Sequence, residues 1–314
     1  MIQRLSIIIP CYNEESAIRP FMEAMRKEEL KLVSKLKFEY YFIDDGSKDE
    51  TLSELRQISI EKENINYISL SRNFGKEAAL LAGLEACTGD FVAVMDVDLQ
   101  DPPELISQMF EKIQEGFDVV GTRRANRKGE PLIRSIFAKG FYWLINKISE
   151  TEIVDGVRDF RLMTRQVVES ILELQEVNRF SKGLFSWVGY RVTYISFENR
   201  ERTKGTSSWS FWTLLKYSFE GIINFSDVLL GVATWSGVCS FQMSMIGALF
   251  IIVRKLTVGG SIEGWASLVT IILFIGGIQL LSIGVLGKYV SKIFLETKKR
   301  PHYIVKEKSN ARNH

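Results

Sequence analysis

Asp96 and Asp98 stand two residues apart in DVDLQD, at the end of the apolar run FVAVMD. In extended chain alternate side chains point the same way. The two carboxylates, with Gln100 on the same parity, therefore offer oxygen ligands to a hard cation, Mg2+ or Mn2+. A bare Asp-x-Asp is also common in solvated loops, and position decides between the two readings. The chain has only two histidines, His302 and His314, and three scattered cysteines, Cys11, Cys87 and Cys239. Residues 1–300 thus hold no imidazole, which excludes Ser-His-Asp and Cys-His catalysis and HExxH zinc sites there. Without CxxC spacing, neither a disulfide framework nor a thiolate metal site is expected. Chemistry falls to carboxylates, Lys, Arg, Tyr and a hard metal ion.

Other polar runs repeat the theme. In DDGSKDET, residues Asp44 to Ser47 form a tight turn and Asp49 can cap the helix that follows. Asp45 is then free to accept hydrogen bonds, as contact with a base or ribose requires. The dinucleotide fingerprint GxGxxG is absent after the first strand, where the chain reads PCYNEE. NFGKEA lacks the earlier glycine and the Ser/Thr of a Walker P-loop. A metal-bridged diphosphate remains as the way to hold a nucleotide, with Lys76 and Arg123 adding charge compensation.

These residues need a frame. Short apolar strands are expected at 5–9, 39–43, 67–70, 91–96 and 118–122. Helical spacing follows each of the first four: Ala17, Ile18, Phe21, Met22 and Met25, then 51–60, 75–87 and 103–114. Strands alternating with helices imply an α/β domain with a mostly parallel sheet covered on both faces. Ligands of such sheets bind at the carboxyl ends of the strands. CYNEE, DDGSKD, SRNFGKE, DVDLQD and TRR all sit at strand exits, so five polar loops converge on one site.

The chain has 314 residues, enough for about two domains. A net charge of +2 argues against a nucleic-acid binder. Mean hydropathy is +0.02 despite 25% charged residues. The apolar excess lies near the C-terminus, where no charge appears between Asp227 and Arg254 or between Glu263 and Lys288. Residues 228–253 and 264–287 are each long enough to cross a bilayer, and a short link would make them a transmembrane hairpin. A pair of buried core helices is the alternative. Lys288, Lys292, Lys298, Lys299 and Arg300 in the tail, 288–314, favour a cytoplasmic side for both termini. The opening run MIQRLSIIIP is too short for a signal peptide. Residues 131–149 and 208–227 mix aromatic and basic side chains. Each reads either as a helix at the membrane interface or as an amphipathic helix against the core. Residues 1–207 form the soluble domain.

SIIIPCYNEE, DDGSKDET, SRNFGKEAAL, DVDLQDPPE, GTRR, VRDFRLM and RTKGTSSW together resemble the family 2 glycosyltransferases of GT-A fold. The similarity is to the polyprenyl-phosphate hexosyltransferases, which include bactoprenol glucosyltransferases and dolichyl-phosphate mannose synthases. It covers nearly the whole chain, through the two apolar segments to RPHYIVK. QxxRW, the mark of processive synthases in the wider family, is missing, which points to a single transfer onto a lipid. The resemblance implies that Pro10, Tyr12, Glu14 and Asp45 contact base and ribose, and that Asp96, Asp98 and Gln100 hold the metal on the diphosphate. It implies phosphate binding by Arg123, lipid-phosphate binding by Arg134, and closure of the site by Arg202. Asp159 takes the acceptor-side acid position.

A cytoplasmic-membrane enzyme is therefore expected, inverting the sugar as it moves glucose from UDP-glucose to undecaprenyl phosphate. GDP-mannose or an N-acetylhexosamine donor, or a catalytically silent membrane scaffold, are the competing readings. Glycines in the two apolar segments could pack between copies of a homo-oligomer or within one chain.

Overall fold

The computed structural model describes residues 2–124, 156–197 apart from 175, 178 and 180, 228–257 and 264–309. The chain divides into two compact units. The first is an α/β unit that includes the described residues up to 197 and the C-terminal stretch 300–309. Its strands are β1 (Gln3–Cys11), β2 (Leu36–Asp44), β3 (Ile65–Leu70), β4 (Phe91–Val94), β5 (Val119–Arg124), β6 (Val157–Thr164), β7 (Val192–Phe197) and β8 (Val305–Lys308). They form one sheet in the order β7-β5-β6-β4-β1-β2-β3-β8. The core β4-β1-β2-β3 is parallel, as is β5-β7. β6 runs antiparallel between β4 and β5, and β8 is antiparallel on β3. This is the mostly parallel, GT-A-like α/β arrangement expected.

β1 shows why the sheet is two-faced. Leu5, Ile7, Ile8 and Ile9 are all fully buried, the continuous apolar run of a strand covered on both sides. Leu5, Ile7 and Ile9 meet helices α1 (Ile18–Leu32), α2 (Thr51–Glu61) and α4 (Leu105–Gln114). Ile8 faces the other way, towards α3 (Lys76–Ala86) and α5 (Arg165–Glu173). Pro10 lies beyond the end of the β4 pairing at Ile8–Val94, so its missing N–H breaks no bond on that side.

α3 is buried along most of its length, from Ala78 to Leu84. Its small residues let it approach the sheet closely. A Cβ on Gly83 would lie 2.3 Å from Cγ2 of Ile8, so only glycine fits there. Helix α6 (Ser181–Trp187) starts on Glu77, whose carboxylate accepts hydrogen bonds from the Ser181 amide and hydroxyl.

The second unit contains two long helices packed on each other, α7 (Val228–Thr257) and α8 (Trp265–Thr297). At 1.5 Å per residue they are about 45 and about 50 Å long. Trp235, Phe241, Ile246, Leu280 and Leu281 are among their exposed apolar side chains. Among the described residues one stretch, Phe274–Thr297, is long and apolar enough to cross a membrane.

Several expectations change. β4 stops at Val94, not at 96. β6 and β7 come from segments with no strand assignment. α8 runs ten residues past 287 and takes Lys288 and Lys292 into the helix. The tail beyond it is not a free basic extension, because its residues 305–308 form β8. Ser71 donates to the carbonyl of Ile304 at 2.8 Å and Ser309 to that of Tyr67 at 2.9 Å. Arg56 makes a two-pronged ion pair with Glu307, at 2.8 and 2.6 Å, and Tyr303 bonds Glu85. The amphipathic segments 131–149 and 208–227 lie outside the described residues.

β8 covers the open edge of β3, which would otherwise expose a row of unpaired backbone groups. Removing residues 300–314 should lower the melting temperature by about 5 °C or more. Arg56→Ala alone, at an exposed pair, should change it little. Thermal unfolding of the purified chain reads both, and an unchanged melting point after truncation would contradict the bracing role of β8.

Candidate functional site

The carboxyl ends of β1 to β4 carry the polar loops. The first two are stitched together. Asn13 adopts a left-handed conformation with φ of 56°. Its amide donates to Ser47 Oγ at 3.0 Å and its side-chain oxygen accepts from the Lys48 amide at 2.9 Å. The Glu14 amide donates to Thr51 Oγ1 at 2.9 Å. Asp49 accepts from the Thr51 amide at 3.1 Å just before α2, although the cap position itself is Glu50 and not Asp49 as expected. Tyr12 is exposed and Pro10 half-buried, so both can meet a ligand.

Asp44 and Asp45 are buried. Asp44 accepts from the Ser47 amide and the Ser69 hydroxyl. Asp45 is not left free, as the sequence suggested. Its two oxygens accept from the amides of Phe74 at 2.7 Å and Gly75 at 2.9 Å. Burial pushes its carboxyl above the usual range, and those two amides oppose the shift. Asp45 thereby fixes the loop that leads into α3. Gly46 and Gly75 have positive φ, 66° and 99°. A Cβ on Gly46 would come within 2.4 Å of the Arg72 backbone, so the two loops touch there.

Lys76, the first residue of α3, therefore starts from a fixed backbone. Its ammonium lies 2.6 Å from Asp96 Oδ1 and 2.7 Å from Asp159 Oδ2. Partial burial works against its charge, but the two carboxylates outweigh that and raise its pKa. Asp159 arrives through topology. β6 is antiparallel to β4, with Arg161 opposite Val94. Residues 157–159 therefore extend past the end of β4, beside the 96–101 loop. Arg123, exposed on β5, is registered with Val157 at the same edge.

The 96–101 loop is not extended. It turns at 97–98, and Leu99 has φ of 57°. The alternation that would align Asp96, Asp98 and Gln100 does not apply. The Asp98 carboxylate accepts from the Gln100 amide at 3.1 Å. Gln100 is buried and its carbonyl accepts from Arg158 at 3.0 Å, which turns it towards β6.

Arg158 escaped the sequence reading. Its guanidinium also donates to Asp101 at 2.9 Å. Asp101 is 1% exposed, and its Oδ2 has no hydrogen-bond partner among the described residues. Burial pushes the Asp101 carboxyl up, and Arg158 pulls it back. The signal was present in RDF, where Arg158 precedes Asp159, and in the second acid of DLQD. Arg161, also buried, stacks on Phe185 at 3.8 Å and donates to the carbonyls of Asp159 and Arg158. Arg134 and Arg202 lie outside the described residues.

Among the described residues no group of three or more His, Cys, Asp or Glu could hold a metal ion unaided. Mg2+ and Mn2+ keep waters and take one or two carboxylates plus substrate oxygens, so Asp96 and Asp98 are the oxygen donors of this edge to weigh against such an ion.

Breaking a buried ion pair leaves an uncompensated charge, at a cost of about 3–5 kcal/mol. Arg158→Met should destabilise the protein by that order. Asp101 would then take up a proton more readily in the folded than in the unfolded chain. Its contribution is retained at low pH and lost as pH rises through its raised folded pKa. The deficit of the variant should thus be largest at neutral pH and shrink on acidification. Unfolding measured across a pH series tests this; a deficit that grows towards acid would contradict it.

The family model for "Glycosyl transferase family 2" matches residues 6–172. "Putative glycosyltransferase CsbB" of Bacillus subtilis (strain 168) is 43% identical over 303 residues, covering 96% of this chain and 91% of that protein. "Bactoprenol glucosyl transferase" of Shigella phage SfX is 42% identical over 306 residues, covering 97% and 99%. Among solved structures, glucosyl-3-phosphoglycerate synthase from Mycobacterium tuberculosis is similar at 18% identity with a TM-score of 0.46, over 70% of this chain and 78% of that one.

Proposed function

The chain belongs to glycosyltransferase family 2, and from that membership we propose that it moves glucose from UDP-glucose to a polyprenyl phosphate, undecaprenyl phosphate in the bacterial case. The observation that carries the proposal is Asp96, Lys76 and Asp159 meeting at the carboxyl edge of the sheet. It stands in a chain 42% identical, almost end to end, to a protein named for bactoprenol glucosyl transfer.

The acceptor phosphate is largely ionised at neutral pH, its second pKa being about 6. It needs no histidine base. One of its oxygens attacks the anomeric carbon in line. The bond from that carbon to the β-phosphate oxygen breaks, and configuration inverts. No proton has to move. Asp96 and Asp98 would hold the divalent cation, which would supply positive charge to the departing diphosphate. Pro10, Tyr12 and Glu14 flank the nucleoside. Asp45 acts through the Phe74–Gly75 backbone. Asp159 positions acceptor or sugar, since its Oδ2 already accepts from Lys76. Arg123 and Arg134 serve phosphate, and Arg202 closes the site. The two long helices, with segments 131–149 and 208–227, hold the catalytic unit against the cytoplasmic face of the membrane, where a lipid shows only its headgroup. Their exposed apolar side chains favour this reading over a soluble pair.

Purified protein offered several labelled nucleotide-sugars with polyprenyl phosphate should make a glucosyl lipid from UDP-glucose. Asp98→Ala should abolish that turnover. Mannosyl lipid from GDP-mannose would move the donor assignment to the mannose branch. No lipid product from any donor would overturn the reading.

A further inference from the structure

We propose that Lys76 competes with the divalent cation for Asp96, so that the cation binds well only together with the donor diphosphate. The inference rests on the metal-dependent reading above and adds a device to it. The ammonium lies 2.6 Å from Asp96 Oδ1 and 2.7 Å from Asp159 Oδ2. It therefore ties the donor-side carboxylate to the acceptor-side one. A divalent cation approaching Asp96 meets a positive charge already in contact with that carboxylate, and like charges at such separations repel strongly.

The Lys76 backbone cannot move away. Lys76 is the first residue of α3, and the preceding amides of Phe74 and Gly75 are held by buried Asp45. α3 itself is pressed on β1 at Gly83. The ammonium stays near the site and needs another anion to lean on when Asp96 turns to the cation. Asp159 is one such anion and the donor diphosphate is a second. A nucleoside diphosphate thus brings both ligands for the cation and a partner for the displaced lysine. Binding of cation and of diphosphate is coupled through one side chain, and the coupling is reciprocal. Lys76 is on this account a positioning residue that sets the order and synergy of donor loading.

The test is Mn2+ binding to the full-length, detergent-solubilised protein, followed by electron paramagnetic resonance of free Mn2+, with and without UDP. Lys76→Met should bind Mn2+ about tenfold more tightly than wild type without UDP, which corresponds to about 1.4 kcal/mol of relieved repulsion. The enhancement by UDP should shrink by a similar factor. Lys76→Arg, which keeps the charge, should behave as wild type. Asp159→Asn serves if Lys76→Met does not fold: with one anchor gone, Lys76 leans harder on Asp96 and UDP-free Mn2+ affinity should fall. Unchanged or weaker Mn2+ binding by folded Lys76→Met, or unchanged binding by Asp159→Asn, overturns the inference alone, provided wild type binds Mn2+ and Asp98→Ala does not. Wild type binding no Mn2+ even with UDP present, or binding it with UDP only as Asp98→Ala does, overturns the metal reading and this inference with it.

Discussion

Like-charge repulsion governs the carboxyl edge of this sheet. Asp44, Asp45, Asp96, Asp98, Asp101 and Asp159 all gather at strand ends or beside them. Gathered together, these carboxylates repel one another unless donors or opposite charges lie beside them. Three kinds of partner provide it. Backbone amides serve Asp45, whose charge is otherwise buried. Arg158 serves Asp101. Lys76 serves Asp96 and Asp159 together. Each solution also ties two loops or strands together, so the electrostatics and the architecture of the edge are the same problem.

Topology supplies the cations where they are needed. A purely parallel sheet would put only strand exits at this edge. Inserting antiparallel β6 beside β4 brings the start of a strand there as well, and with it Arg158 and Asp159. The close seat of α3 on β1 fixes the depth of Lys76. The C-terminal return matters for the same loop. Ser71, bonded to Ile304, precedes the Arg72–Gly75 turn whose last two amides Asp45 holds. A segment more than two hundred residues away in sequence thus braces the base of the loop that presents Lys76.

This explains what could and could not be read from the sequence. The parallel core was legible because its strands are continuous apolar runs and its helices carry apolar residues at helical spacing. The gathering of polar loops followed from strand direction alone. The parity of Asp96, Asp98 and Gln100 failed because β4 ends at Val94 and the chain then turns through a left-handed Leu99. Asp45 misled for a related reason. A carboxylate in a turn looks free until the third loop folds over it, and that contact is 29 residues away for Phe74. β8 was hidden because VKEK has no apolar alternation; it is held by edge pairing and by Arg56–Glu307, both long-range. Arg158 was overlooked because a buried arginine is visible only through its partner.

The scarcity of histidine acquires a physical meaning from these contacts. A cluster of carboxylates and permanent cations has no group whose ordinary pKa lies near neutrality. Such a site is suited to moving charge rather than protons. Under the proposed reaction the nucleophile arrives as a dianion and the leaving diphosphate departs with its freed terminal phosphate as a dianion, so the burden on the protein is to balance negative charge at two places in turn. A lysine that touches both a donor-side and an acceptor-side carboxylate is placed to share that burden, because its single positive charge can lean towards whichever side is momentarily more negative. An imidazole there would add a titration that the chemistry does not use, and would make the balance of the edge depend on pH.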